Sequence, residues 1–398
     1  MAEIPLYDVD PFCEASVRQA RAVDDELREA LPVARLADGT VLITRYTDVA
    51  AGLSDWKTFS SVSRPWHDPN SLRPEILLTD DPPRHTRVRP IVANALGTRA
   101  LESMRPAFER EATIIFDEVV ARSGEVLDAV ADITRRFVFR VLPDLIGLPD
   151  EGREHMNGFG HMVWATLGPP NELFEEAVRD SAPVVAWLEW ACEREQLSAD
   201  GVGAQIYAAA DDGRLTTAEA KLLVQTVLAA GSDTSFVTMA ATIGAFAKFP
   251  EQYRRARADA RLLRNAFDEC LRWDSPSRMA GRITTREVRI EGYTIPAGQR
   301  TGLLFAAANR DPRAWPDPLA FDVGRDLRKH LGFGYGTHAC VGRALAQLEA
   351  SVLLAELARR IESIESAGEE EPWITTIGHG PAKLPVRLQP APARSIQR

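Results

Sequence analysis

The chain has few cysteines: among its 398 residues there are four, Cys13, Cys192, Cys270 and Cys340, and none stands in a CxxC pair. This spacing argues against a zinc or iron–sulfur site, and so few cysteines in so long a chain argue against a disulfide scaffold. The N-terminus lacks the basic start and apolar stretch of a signal peptide. No apolar run approaches the roughly 20 residues that a membrane-spanning helix needs.

Positive charge is also in deficit, since 47 Lys and Arg residues stand against 57 Asp and Glu residues, a net charge of -10. General binding to nucleic acid or to an anionic membrane needs a positive surface, so we expect neither as a partner. The hydrophobic content of 45% and the charged content of 26% are ordinary for a globular protein with a large core. We therefore expect a cytoplasmic globular protein.

Helical periodicity dominates the sequence. Apolar residues recur at helical spacing in four segments: 102–122, 215–249, 260–273 and 341–361. Three short stretches have the pattern of strands: 41–44, 288–290 and 384–388. No linker with a shift in composition separates the chain into parts. The sequence therefore predicts a mainly α fold, a large helical body with small peripheral β-sheets, as a single domain over 1–398 with a disordered tail after about residue 390.

Cys340 lies in a glycine-rich loop that leads into a helix. Gly332, Gly334 and Gly336 precede it, Gly342 follows it, and the apolar spacing of a helix begins directly afterwards. Exposed N–H groups at a helix N-terminus stabilise a thiolate, and they also tune a metal that the thiolate binds. Such a loop can also cradle a phosphate, but there is no GK[ST] sequence and no clear preceding strand. The other three cysteines have the pattern of small buried apolar residues.

Three further groups of residues break ordinary patterns. Gly231, Asp233 and Thr234 lie in the middle of the apolar segment 215–249, where a glycine costs ~1 kcal/mol and an unpaired acid costs more. Such violations tend to mark functional sites, although a solvent-facing kink is the alternative. His85 and Arg89, four residues apart, share a helix face that suits a carboxylate. Glu269 and Arg272 are spaced to form an ion pair on a helix.

These residues carry a resemblance to a known family. The segment 333–342, FGYGTHACVG, resembles the haem-binding loop of the cytochromes P450, whose pattern is FxxGxxxCxG. The Glu269–Arg272 ExxR and the FDxxR of 321–325 precede it in the order that the family requires. The resemblance extends from about residue 11 to 388, and the segment 152–173 is most similar to bacterial members that oxidise para-substituted benzoic acids.

The resemblance implies the residues that hold haem b. Cys340 would be the proximal iron ligand, and a thiolate in that place favours O–O cleavage. Four cationic or donor side chains would bind the haem propionates: His85, Arg89, Arg282 and His338. Phe333 would pack against the ligand side of the haem within a loop that includes Gly334. Three residues would have a structural role in holding this region: Glu269, Arg272 and Arg325.

On the oxygen side, the resemblance implies that Asp233 relays protons and that Thr234 holds the reacting oxygen with a water. Ala230 and Gly231 would leave room for oxygen. The implied activity is a monooxygenase that uses O2 and two electrons, supplied by a ferredoxin and an NAD(P)H-dependent reductase because the chain has no flavin or iron–sulfur motif. An acidic ferredoxin would need a local basic patch, for which the candidates are Arg328, Lys329 and Arg343.

Two other classes of function remain open: a peroxygenase that needs no ferredoxin, and a haem-binding sensor or carrier without catalysis. Neither needs the Asp233–Thr234 pair. For the monooxygenase, the expected substrate is a small aromatic compound similar to a methoxybenzoate or a methoxyphenol. A terpenoid or a fatty acid is the alternative.

The resemblance also implies which residues contact the substrate. Five segments would line the pocket: 73–78, 164–167, 226–230, 277–281 and 375–377. Arg73 and Thr226 would bind a substrate carboxylate, with Arg278 in reserve, although Glu75 next to Arg73 would oppose an anion. The remaining expected contacts are Leu78, Ala230, Met279, Ala280 and Ile377.

Overall fold

The computed structural model describes residues 3–62, 66 and 76–392, and most of them lie in helices, as the sequence predicts. The expected disordered tail lies largely outside these residues. The α-helices of the described residues are α1 (Glu14–Val17), α2 (Ala20–Ala30), α3 (Tyr46–Ser54), α4 (Arg84–Ala95), α5 (Thr98–Ala121), α6 (Arg135–Ile146), α7 (Met156–Thr166), α8 (Glu172–Arg179), α9 (Ala182–Ala191), α10 (Val202–Asp211), α11 (Thr217–Lys248), α12 (Pro250–Ala258), α13 (Ala260–Trp273), α14 (Phe305–Asn309) and α15 (Arg343–Arg360). A π-helical stretch, Ala129–Thr134, leads into α6.

The strands are short and lie at the periphery. They are β1 (Val33–Arg35), β2 (Val41–Ile43), β3 (Phe59–Ser60), β4 (Leu127–Asp128), β5 (Met279–Thr284), β6 (Val288–Ile290), β7 (Tyr293–Ile295), β8 (Arg300–Leu304), β9 (Ile361–Ser366), β10 (Glu371–Pro372), β11 (Pro381–Lys383) and β12 (Pro385–Pro390). The largest sheet has the order β1-β2-β8-β5-β3, in which β2 and β8 are parallel and the other neighbours antiparallel. The smaller sheets are β4-β12-β9, β10-β11 and β6-β7.

Helix α11 crosses the centre of the main hydrophobic core. A capping box starts it: Thr216 Oγ1 accepts from the N–H of Glu219 at 3.1 Å, and the Glu219 carboxylate accepts from the N–H of Thr216 at 3.0 Å. It ends at Lys248, two residues before Pro250, which disfavours helix in the residue that precedes it. Most of its side chains between these ends are buried, so it contributes to the core on nearly every face.

Glu219 also joins α11 to α4. Its carboxylate forms an ion pair with Arg87 at 2.6 Å, and Arg87 donates to the carbonyl of Arg214 at 2.7 Å. The hydrogen bond from Arg87 is the largest cause that lowers the pKa of Glu219 to about 2. The N-terminus of α11 is therefore fixed to the helix that carries His85 and Arg89.

An ion-pair cluster with a fully buried centre, Glu269 and Arg272, links α13 to the segment that precedes the cysteine loop. Glu269 accepts from Arg272 at 2.7 and 2.8 Å, from Arg325 at 3.1 Å and from the N–H of Asp322 at 3.0 Å. Arg272 also donates to the carbonyls of Asn309, Pro318 and Ala320. Because Arg272 donates to three backbone carbonyls as well as to Glu269, the cluster fixes the path of residues 309–325.

We expect Glu269→Gln to destabilise the protein by about 3–5 kcal/mol, because it leaves two guanidinium groups buried without their carboxylate. Urea unfolding and the amount of bound cofactor after purification measure the effect. Glu102→Gln is the matched control, because Glu102 pairs with Arg105 on the exposed face of α5, and we expect little change there. Equal effects of the two substitutions would contradict the structural role of the buried cluster.

Candidate active site

The cysteine loop folds back on itself so that Cys340 stands at the entry to α15. Gly334 and Gly336 have φ of +65° and +69°, a backbone conformation that suits glycine. The N–H of Cys340 donates to the carbonyl of Phe333 at 2.8 Å and closes the loop. Beyond the sulfur, the N–H groups of Gly342 and Arg343 point toward it and lower its pKa, as expected at a helix N-terminus.

The Cys340 side chain is exposed, yet burial is the largest influence on its thiol and raises its pKa. Both hold because protein surrounds most of the sulfur while one side of it stays open. Ala230 shows the same feature, since it is exposed in the middle of a helix whose neighbouring residues are buried.

The structure brings together cationic and donor side chains beside this loop. The rings of His85 and His338 are 4.6 Å apart in an edge-to-face arrangement. Arg89 donates to the carbonyl of Ala339, next to Cys340, at 2.6 Å. Arg282, on β5, is near enough to lower the pKa of His338. These four residues come from α4, β5 and the cysteine loop, and we call them the cationic cluster.

The electrostatics of the cationic cluster suit carboxylate groups. Burial first, and then Arg282, His85 and Arg89, lower the pKa of His338 to about 3. Burial and Arg89 lower the pKa of His85, and the buried Nε2 of His85 has no hydrogen-bond partner within the described part of the chain. A carboxylate placed here would relieve the repulsion and give that nitrogen a partner.

Cys340 and the cationic cluster therefore fit haem b, the cofactor that the sequence implies. A thiolate is offered to a metal, and two guanidinium groups and two imidazoles are offered to carboxylates on one side of it. Haem b, with one iron and two propionates, has this combination. Within the described residues, no group of three or more His, Cys, Asp or Glu side chains is arranged to hold a metal ion, so the single thiolate is the metal ligand that the site offers.

An acid and an alcohol lie side by side on α11. Asp233 is buried, and burial raises its pKa to about 7, although the hydroxyl of Ser232 and the charge of Arg135 oppose the shift. Thr234 is half-buried, and its Oγ1 donates to the carbonyl of Ala230 at 3.0 Å. Thr234 and Ala230 are four residues apart and therefore share the helix face on which Ala230 is exposed. An acid with a pKa near neutrality gains and loses a proton readily at physiological pH.

Gly231 has a structural explanation that differs from the expected room for oxygen. A Cβ at this position would lie 3.1 Å from a methyl group of Leu142 on α6. The glycine thus allows α11 and α6 to pack closely. Ala230 is the residue of this pair that is exposed.

Three of the segments expected to line a substrate pocket meet in the structure. Thr376 donates to the carbonyls of Trp164 and Ala165 at 3.2 and 2.8 Å, which joins 375–377 to the end of α7. The N–H of Arg278 donates to the carbonyl of Ile377 at 3.0 Å, which joins the same stretch to β5. Of the expected contacts in these segments and α11, Ala230 is exposed, Ala280 is half-buried and four are buried: Thr226, Arg278, Met279 and Ile377.

Arg278 does not have the expected role. Its guanidinium is buried and donates to both carboxylate oxygens of Asp24, at 3.2 and 2.7 Å, and to the carbonyl of Pro11 at 2.9 Å. It therefore fixes helix α2 to β5 and is not available to a substrate carboxylate. Leu78 is exposed. Arg73 and Glu75 lie outside the described residues.

Sequence reasoning missed Glu349, on α15. Its side chain is fully buried, both carboxylate oxygens lack a hydrogen-bond partner within the described residues, and burial raises its pKa to about 8. The hydroxyl of Ser235, next to Thr234 on α11, is the polar group that acts on it. The sequence does contain an indication that Glu349 is buried, because it lies next to the apolar helix positions Leu345, Leu348 and Val352.

Comparisons with known proteins agree with this geometry. A family model described as Cytochrome P450 matches residues 195–377, which include Asp233, Thr234 and Cys340. Cytochrome P450 CYP199A2 of Rhodopseudomonas palustris is 38% identical over 401 residues, covering 98% of this chain and 96% of that protein. The 6-deoxyerythronolide B hydroxylase of Saccharopolyspora erythraea is 31% identical over 386 residues, covering 91% of this chain and 94% of that protein.

Solved structures give the same result. Cytochrome P450 CYP109Q5 from Chondromyces apiculatus superposes with a TM-score of 0.81 at 30% identity, covering 97% of this chain and 99% of that one. CYP108D1 from Novosphingobium aromaticivorans has a TM-score of 0.83 at 26% identity, covering 98% and 100%. The similarity therefore extends over both the helical body and the candidate site.

We expect Glu349→Gln to stabilise the protein more at pH 8 than at pH 5. Because folding raises the pKa of Glu349, the wild type loses stability as the pH rises from the ordinary value of 4.5 toward about 8. The substitution removes this loss, which is on the order of a few kcal/mol. Urea unfolding at the two pH values measures it.

Glu356→Gln on the same helix is the control with the opposite sign. Although burial alone would raise it, Arg359 and Arg360 hold the pKa of Glu356 below its usual value, so this substitution should destabilise the protein at both pH values. A Glu349→Gln effect that does not change with pH would contradict a buried, unpaired carboxyl.

Proposed function

This chain belongs to the cytochrome P450 family, and we propose that it is a haem-thiolate monooxygenase that hydroxylates or O-demethylates a small aromatic substrate. Haem b is the cofactor that the family implies. One observation carries the proposal: the cationic cluster lies beside the loop of Cys340, and α11 carries a buried acid, Asp233, whose pKa is raised to about 7, next to Thr234. Together these residues supply a metal ligand, carboxylate anchors and a proton-exchanging acid. The peroxygenase and sensor alternatives have little use for that acid and alcohol.

Each group of residues has a distinct task. When bound, the haem supplies electron transfer and the activation of O2. Cys340 would hold the iron through its thiolate, and the cationic cluster would hold the cofactor through its carboxylates. Asp233 takes up and releases a proton at its carboxyl group. Thr234 Oγ1, which donates to the Ala230 carbonyl, has lone pairs that accept a hydrogen bond on the exposed face of α11.

The overall reaction balances as R–H + O2 + 2 electrons + 2 protons to R–OH + H2O. With an aryl methyl ether, the hydroxylated methyl group leaves as formaldehyde and a phenol remains. The reaction needs two electrons, and these 398 residues contain no flavin or iron–sulfur motif. We propose a ferredoxin and an NAD(P)H-dependent reductase.

The substrate class is argued from the pocket segments and from the resemblance of 152–173. Met279 and Ile377 offer buried apolar surface. The rings of Trp164 and Trp373 are in contact at 5.8 Å, edge to face. Thr226 adds one hydroxyl, which donates to the Leu222 carbonyl at 2.8 Å and can still accept. A largely apolar lining with a few polar groups suits a small ring with one polar substituent.

We expect a methoxybenzoate or a methoxyphenol to displace water from the ferric haem and to yield formaldehyde in proportion to the NAD(P)H consumed. Spectral titrations with 4-methoxybenzoate, guaiacol, a fatty acid and a terpene separate the candidate classes. Thr226→Val should weaken binding of the preferred ring by about 1–3 kcal/mol through the lost polar partner. Binding of the fatty acid or terpene alone would contradict the aromatic assignment.

The proposed docking site for the ferredoxin is a surface beside the cysteine loop. Arg328 and Lys329 line a depression of about 460 Å³ together with Trp315, Pro316, Arg325 and Asp326. Arg328 is paired with Asp326 at 2.6 Å. Lys329 donates to the Ala314 carbonyl and lies 4.7 Å from the ring centroid of Trp315. Arg343 is half-exposed and lies over the ring of Phe333, with Asp268 only at 3.9 Å, so its charge is less compensated than that of Arg328.

We expect Arg343→Glu to slow reduction by an acidic ferredoxin by about tenfold at low ionic strength, with the difference shrinking as salt is added. Stopped-flow reduction with NAD(P)H, a reductase and a bacterial [2Fe–2S] ferredoxin measures it. Arg328→Glu is the control and should have a smaller effect, because Asp326 already neutralises Arg328. Reduction rates indifferent to salt and to both substitutions would contradict the docking surface.

Among the described residues, no helix has both the length and the apolar character needed to cross a membrane. The cytoplasmic location stays a prediction from the sequence.

A further inference from the structure

Gly160, in the middle of α7, lies directly against the Asp233 carboxyl group. A Cβ built on Gly160 would overlap both carboxylate oxygens and the carboxyl carbon of Asp233. Gly160 is buried, and a glycine inside a helix weakens the helix relative to alanine. Helix stability therefore gives no reason for a glycine at position 160. The space that the Asp233 carboxyl group needs does give one.

The other surroundings of the carboxyl group do not hold it by charge. Among the described residues, no salt bridge joins Asp233 to a basic side chain. Arg135, at the start of α6, acts on it only through its charge, and Ser232, whose hydroxyl donates to the Ala229 carbonyl at 3.3 Å, lowers its pKa only in part. Further titratable groups on the neighbouring helices are His161, which follows Gly160 on α7, and Glu349 on α15, whose pKa the hydroxyl of Ser235 lowers. The backbone of α7 is thus the closest wall of the carboxyl group.

We propose that Gly160 is a positioning residue for Asp233: the missing side chain lets α7 cover the carboxyl group and keep it in a dry, fixed place beside Thr234. The proposal rests on the proposed role of Asp233 in proton delivery. It identifies α7, which also carries Trp164 into the substrate pocket, as the element that sets the place of the acid. A side chain at position 160 would force the acid or the helix to move.

The matched pair of variants is Gly160→Ala and Gly158→Ala. Both replace a glycine of α7, but the Cβ at 158 would meet only a Val184 methyl group at 3.2 Å. In the haem-loaded protein, we expect Gly160→Ala to lower substrate turnover by about two- to tenfold. It should also raise the solvent isotope effect and lower the product formed per NAD(P)H, with little change in the substrate dissociation constant. Gly158→Ala should resemble the wild type in all of these.

Asp233→Asn separates this proposal from the proposed function. If Asp233 delivers protons, Asp233→Asn should lower turnover by about tenfold or more, while spectral binding of the substrate remains. If Asp233→Asn has no effect, the proton-relay role fails. If Asp233→Asn is impaired while Gly160→Ala behaves like Gly158→Ala, only the positioning role of Gly160 is overturned.

A second measurement does not depend on activity. Asp233→Ala removes the carboxyl group that the new Cβ would overlap. We therefore expect Gly160→Ala to lower the unfolding midpoint by a few degrees in the wild-type background and to leave it unchanged or raise it in the Asp233→Ala background. The same loss in both backgrounds would show that the alanine disturbs something other than Asp233 and would overturn the proposal, even if Gly160→Ala yields little active enzyme.

Discussion

The buried carboxylate of Glu269 is the constraint on which the rest of the site depends. It holds Arg272 and Arg325, and Arg272 in turn fixes the carbonyls of Asn309, Pro318 and Ala320. The side chain of Asn309 accepts from the N–H of Leu331 at 2.7 Å, which is the point where the glycine-rich loop begins. Through a few hydrogen bonds, the fully buried carboxylate of Glu269 thus helps to fix the position of Cys340. A thiolate that binds a metal needs such rigidity, because its geometry decides the strength of the bond.

The charged groups of the site lie on different elements. The cationic cluster lies beside the cysteine loop, where burial first, and then repulsion among its members, lower the pKa of its histidines. Two buried acids, Asp233 on α11 and Glu349 on α15, lie on the helices, and burial raises the pKa of both. In the cationic cluster, His338 lies 3.7 Å from Asp81, whereas among the described residues no salt bridge joins either of the two acids to a basic side chain. Each is therefore in a state that a ligand or a proton changes.

Local patterns in the sequence predict much of this structure. The segment 260–273 is α13 to the residue, and 215–249 contains α11, because apolar periodicity and the flanking proline define a helix within its own residues. The cysteine loop is also local, since its glycines and helix start lie within a few positions of each other. The sequence could not reveal what Arg278 does, because its partner Asp24 is 254 residues away. Gly160 was equally hidden: a glycine in a helix shows its reason only when the side chain packed against it is known.

The walls of the proposed pocket come from parts of the chain that are far apart in the sequence. The end of α7, the middle of α11, β5 and the stretch before β11 each contribute one or two side chains, while the ion-pair cluster and the cysteine loop lie elsewhere. Substitutions in the pocket segments can therefore occur separately from substitutions in the ion-pair cluster and the cysteine loop. Relatives that share about a third of their residues with this chain match it over more than nine-tenths of its length, and replacements in the four segments of the proposed pocket would change the ligand without touching the buried ion pairs.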